Sequence, residues 1–300
     1  MILVTGTKRS GTSMWMQVLT ASGFPFIGSK FMQTWEDSIK EANPKGFYES
    51  PLRKGVYYAT NPNPKTGAYL HPKSSEKHVL KVFIPGLVRT DYAFIHRVVA
   101  TIRPWREYCT SIKRLYAMED EYMINVPQKD GDPLPALDMA RLKRPAMHPS
   151  LEWWRENYDL IRDFATRGYA FNLVSYSKLL DDPEGVIAPV LRWCGAPDIE
   201  KGIAEVEQSL RTQKEVTISD SPLTTEQETL FDEFHDFFYR QDPLSGTFIK
   251  KMNEIDEVLR PIIDEAKKKG QKRLRDVLMN AGLKEHEAEK TLEKAQEERR

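Results

Sequence analysis

The residues best suited to chemistry come first in the chain: Gly6-Thr7-Lys8-Arg9-Ser10-Gly11-Thr12-Ser13. Two glycines let backbone N–H groups approach an anion closely. Lys8 and Arg9 bring full positive charge, and Ser10, Thr12 and Ser13 bring hydroxyl donors. Such a set within eight residues is a cradle for a phosphate-like group. The Gly6-x-x-x-x-Gly11 spacing equals that of a Walker A loop, but that loop continues with lysine and then Ser or Thr. Here Thr12 and Ser13 follow, so the lysine that an ATP or GTP hydrolase puts on the β- and γ-phosphates is missing.

The elements around the loop suit the same purpose. Residues 1–5 form an apolar run that reads as a buried strand of a parallel sheet, and Ser10 to Ser22 reads as a helix stopped by Gly23. Such a helix points its positive dipole end at the loop. Further strands are expected at 78–83 (closed by Pro85), 97–102 and 170–176, with helices at about 105–118, 151–167 and 183–194. Strands alternating with helices predict an α/β fold with a parallel sheet flanked by helices. Two Pro/Asn/Gly-rich stretches, about 59–77 and 119–149, break that rhythm and read as lids or substrate walls. The second carries Tyr122, Met123, Leu134, Leu137 and Met139 as packing residues. From about Thr224 the pattern is helical to the end. The expected organisation is an α/β domain over 1–222 and a helical extension over 223–300, packed on it or projecting from it. Residues 264–300 show one thin apolar stripe (Leu274, Val277, Leu278, Leu283), which suits packing on the domain; an arm joining copies into a homo-oligomer is the alternative.

Composition narrows the function. Lys plus Arg and Asp plus Glu balance at 44 each, without the basic excess of a general nucleic-acid binder. Cys109 and Cys194 are too few for a disulfide scaffold, and the six histidines are scattered, so no metal site is expected. No run approaches the ~20 apolar residues of a membrane span. The first residues lack the features of a signal peptide, and a cytoplasmic setting is the expectation.

The stretch Thr5 to Trp15 resembles the 5′-phosphosulfate loop of sulfotransferases that use 3′-phosphoadenosine-5′-phosphosulfate (PAPS), with Lys8 where proline is common. Three further segments extend the likeness over about residues 1–215. Arg103 closes the third strand and Ser111 follows eight residues later, as in the family's 3′-phosphate site. Tyr176, in Val-Ser-Tyr-Ser-Lys-Leu-Leu-Asp-Asp-Pro-Glu, is similar to the strand-end tyrosine near adenine. Asn43-Pro44-Lys45-Gly46-Phe47-Tyr48-Glu49 is similar to a motif of bacterial members.

The resemblance implies sulfuryl transfer from PAPS, without metal, to a hydroxyl or amine of a small-molecule or glycan acceptor. Lys8, Arg9, Ser10, Gly11, Thr12 and Ser13 would hold the 5′ group, Arg103 and Ser111 the 3′-phosphate, Tyr176 the adenine, and Arg211 would return to the 3′-phosphate. Lys8 and Arg9 would also neutralise the leaving phosphate, and Lys81 joins Arg9 among the catalytic candidates. Many members carry a histidine two residues after a strand lysine; here Lys81 is followed by Phe83 at that place. The general base then falls to Glu49, Glu36 or His71, in that order. A small-molecule kinase with a P-loop and a non-catalytic nucleotide-binding module stay open as alternatives.

Overall fold

A computed structural model describes residues 1–31, 43, 45–206 and 218–299, with the side chains of 296–299 left aside. The chain is an α/β protein built on a four-stranded, all-parallel sheet flanked by helices. Strands β1 (Ile2–Gly6), β2 (Val79–Lys81), β3 (Arg97–Ile102) and β4 (Phe171–Ser175) lie in the order β2-β1-β3-β4. Leu3 registers with Leu80 on one side and Val98 on the other, so β1 is central. All five of its residues are buried, as expected for a strand covered on both faces.

Alternation along the strands divides the core. Ile2, Val4, Val79, Val99 and Val174 face helices α1 (Thr12–Ala21), α6 (Tyr176–Asp181) and α7 (Pro183–Cys194). Met1, Leu3, Leu80, Val98 and Ala100 face the opposite side, against α2 (Ile84–Arg89) and α5 (Pro149–Arg167). A larger aromatic core joins α3 (Trp105–Met123) and α5 to the helices that follow residue 224, α9 (Thr225–Tyr239) and α10 (Gly246–Asn280). Trp154 stacks on Phe231 at 5.1 Å and Trp153 packs on the same ring at 5.3 Å. Short helices α4 (Ala136–Leu142) and α8 (Ile199–Ala204) and the terminal α11 (Glu285–Arg299) complete the described elements.

Three expectations are corrected. The strand expected over 78–83 ends at Lys81, and Pro85 opens α2 instead of merely closing a strand, because proline is tolerated in a helix's first turn. The helix expected to stop near 118 runs to Met123. The stretch 119–149 is not a uniform loop: it contains α4, and Leu134 and Leu142 are buried with Leu278, Ala288, Leu292 and Ala295 of α10 and α11. The apolar stripe at Leu274, Leu278 and Leu283 closes that small core, whereas Val277 is 40 % exposed. Among the described residues no helix is long and apolar enough to cross a membrane.

Candidate anion-binding site

The first loop leaves β1 at Gly6 and enters α1 at Thr12. Gly6 has φ +152°, and a Cβ there would collide with the Thr101 carbonyl and Ser10 Oγ. Gly11 caps α1 at φ +101° with no side-chain cap, so the first N–H groups of the helix remain for an outside partner. Arg9 adopts φ +67°, a left-handed conformation that costs a non-glycine residue about 1 kcal/mol. Local bonds hold the turn. Ser10 N–H and Oγ both donate to the Thr7 carbonyl (3.2 and 2.7 Å), and Thr101 Oγ1 donates to the Ser10 carbonyl at 2.9 Å.

The distant candidates converge on this turn. Arg9 Nε donates to Ser111 Oγ at 3.1 Å, across 102 positions of sequence. Arg103 Nη1 donates to the Arg9 carbonyl at 3.1 Å. Both arrive for a structural reason: β3 runs parallel to β1 with Thr101 opposite Gly6, so its end and the following α3 lie beside the loop. The Tyr176 ring covers the same corner. It lies 4.9 Å from the Arg103 guanidinium, and a Cβ on Gly11 would stand 2.5 Å from its Cδ2. Thus Arg9, Ser10, Gly11, Arg103, Ser111 and Tyr176 form one cluster, opened by the N-terminus of α1.

Positive charge is crowded at this corner. Burial, then the neighbouring charges of Arg103 and Arg114, lower the Arg9 guanidinium to about 10, against the pull of Tyr176. Glu107 partly offsets the crowding. It accepts from Arg103 Nε at 3.0 Å, with both side chains buried. Glu107 was not among the sequence candidates, although its place four residues after Arg103 on a helix start is a readable i,i+4 signal.

A second cluster borders the loop at Ser13. Lys81 Nζ donates to Glu49 Oε1 at 2.7 Å, to the Phe47 carbonyl at 2.7 Å and to Ser13 Oγ at 3.2 Å. Lys81 and Glu49 side chains are 5 % and 2 % exposed. Burial lowers the Lys81 pKa, while the charge and hydrogen bond of Glu49 act against that shift. Glu49 Oε2 is buried with no hydrogen-bond partner among the described residues. The Phe83 ring lies near two ammonium groups, Lys8 Nζ at 5.6 Å and Lys81 Nζ at 5.9 Å from its centre. Lys8 also acts on Glu119 at the start of the 119–149 stretch. Burial raises that carboxyl's pKa, and Arg144 and then Lys8 oppose the rise.

The other candidates fall elsewhere. His71 is exposed and packs its ring 4.7 Å from Tyr69. Glu36 and Arg211 lie outside the described residues. Among the described residues no group of three or more His, Cys, Asp or Glu is arranged to hold a metal ion. No protein-family model matches the chain, and no curated protein matches it.

Proposed function

We propose that Gly6–Ser13 is a phosphate-binding loop and that the chain is a PAPS-dependent sulfotransferase acting on a hydroxyl or amine acceptor. One observation carries this reading: Arg103 and Ser111, a pair suited to a phosphate, bind the backbone and side chain of Arg9 within the loop itself. Two anion subsites, one at the N-terminus of α1 and one between β3 and α3, adjoin each other. That arrangement fits a nucleotide with phosphates on both its 5′ and 3′ sides better than a triphosphate. The lack of a lysine at position 12 points the same way.

The residues present fit that donor. The Arg9 and Arg103 side chains meet at the head of α1, where Gly11 lets the Tyr176 ring pack directly on the loop backbone. In this reading the N–H groups at the head of α1, with Ser10, Thr12, Ser13, Lys8 and Arg9, hold the 5′ group, and Arg103 and Ser111 hold the 3′-phosphate. When bound, PAPS supplies the sulfuryl group. Lys81 directs its positive charge at Ser13, on the side of the loop where charge develops during transfer. Glu49 orients Lys81 through one oxygen and keeps a lone pair on Oε2 to take the acceptor's proton. Phe83 occupies the place of the family's usual histidine and brings no base. Helices α9–α11 are an addition to the α/β unit.

Calorimetry tests the reading with PAP, the 3′,5′-bisphosphate left after transfer, and with ATP plus Mg²⁺. Magnesium-independent PAP binding supports it; preference for Mg-ATP replaces it with a kinase. Transfer of labelled sulfate from PAPS to hydroxyl and amine probes separates an enzyme from a non-catalytic binding module.

A further inference from the structure

Besides bonds from Trp105 and Arg106 to Asp232 and from Tyr239 to Asp181, α9 makes a buried polar contact at the end of β4. His235 of α9 is 6 % exposed, and its Nε2 lies 3.0 Å from Ser175 Oγ. Ser175 ends β4, is fully buried, and caps α6 by accepting from Lys178 N–H at 3.3 Å. The next residue is Tyr176, whose ring covers Gly11 and Arg103.

The protons of this network are assigned from its partners. Ser175 accepts from Lys178, and its single O–H is best used toward His235 Nε2. That makes His235 neutral, with its proton on Nδ1, 3.7 Å from Asp236 Oδ1. Burial lowers the imidazole's pKa, in keeping with a neutral ring, while Asp236, Glu107 and Asp232 pull it upward. Glu107, which acts on the imidazole, is also the partner of Arg103.

We infer that His235 is a positioning residue for nucleotide binding: through Ser175 it fixes the turn from β4 into α6 and so holds Tyr176 over the loop. The C-terminal helices are thereby part of the nucleotide site, although none of their residues lies in the loop. This inference rests on the reading of the loop as a PAP(S) site.

The test measures PAP affinity by calorimetry in the parent chain and five variants. His235→Leu and Ser175→Ala each remove the bond and are expected to weaken PAP binding about fivefold to tenfold, as for loss of one buried hydrogen bond. The double variant should be no weaker than the worse single one, because both changes break the same link. His235→Gln places an amide oxygen where Nε2 stood and should stay within about twofold of the parent. Leu259→Ala, in the α10 core and away from the loop, controls for lost stability and should leave PAP affinity unchanged. Unaltered binding in both single variants overturns the inference, as do additive losses, failure of His235→Gln, or an equal loss in Leu259→Ala. A parent protein that does not bind PAP overturns the nucleotide reading itself, a separate result.

Discussion

Lys81 and Glu49 form a buried ion pair. At 2.7 Å, with an effective dielectric constant of about 20, their attraction is about 6 kcal/mol. Taking both charges out of water costs several kcal/mol each, so the pair as a whole adds little to stability. Removing one member is different, because the other is left charged and buried. Among the described residues Glu49 Oε2 has no partner, and in Lys81→Met Oε1 loses its ammonium donor. The expected destabilisation is about 3–5 kcal/mol, with a fall in Tm on the order of 10 °C. Adding Glu49→Leu to that variant removes the stranded charge and should restore stability to within about 1 kcal/mol of the parent. Urea unfolding followed by circular dichroism, with equal m-values across the set, gives these differences. The restored double variant should nonetheless transfer no sulfate, and Glu49→Gln should lose at least about a hundredfold in turnover while still binding PAP. If Lys81→Met costs less than about 1 kcal/mol, or the double variant is no more stable than the single, the pair is not the closed electrostatic unit described. If the double variant keeps full turnover, neither residue is catalytic.

Four shorter expectations test other parts of the structure. Gly11→Ala meets the Tyr176 ring at 2.5 Å in a backbone conformation that favours glycine, so PAP affinity measured by calorimetry should fall at least about tenfold. Arg103→Lys loses the fork that joins Glu107 to the Arg9 carbonyl, and PAP binding should again weaken about tenfold. Phe231→Ala opens the aromatic core between α5 and α9, with an expected loss of about 3–5 kcal/mol in denaturant unfolding. Burial raises both the Cys109 and Cys194 thiols from 9.0 to about 12. A raised acid favours the fold below its unfolded pKa, so that contribution is lost as pH climbs from 9.0 toward about 12. A thiol reagent at neutral pH should accordingly label both cysteines only after unfolding.

The sequence showed the head of the site more clearly than its flanks, and the reason is the range over which each signal acts. An apolar run, two glycines and a helical stripe are all local, so β1, the loop and α1 are readable within twenty residues. Arg103 and Ser111 stand out through their resemblance to a family pattern, and a strand end and the first turns of the next helix bring both to the same edge of the parallel sheet. Nothing local announces that Ser111 meets Arg9, and nothing local joins Glu49 to Lys81; each pairing depends on where separate connections return to the sheet. In the segment 119–149, Leu134 and Met139 read as packing residues and do pack, but α4 and Leu142 are masked by prolines and polar residues that mark turns, and their partners on α10 and α11 lie more than a hundred residues later. His235 is the sharpest case. In sequence it is a lone histidine amid the aromatic face of an amphipathic helix, the pattern of a core residue, and it is indeed buried. Its significance comes from facing Ser175, whose own significance comes from preceding Tyr176. Each link is ordinary on its own. The chain of contacts from α9 through β4 to Gly11 gives the helices after residue 224 a route to the loop, and PAP affinity in the His235 and Ser175 variants is the quantity that reads whether that route carries any coupling.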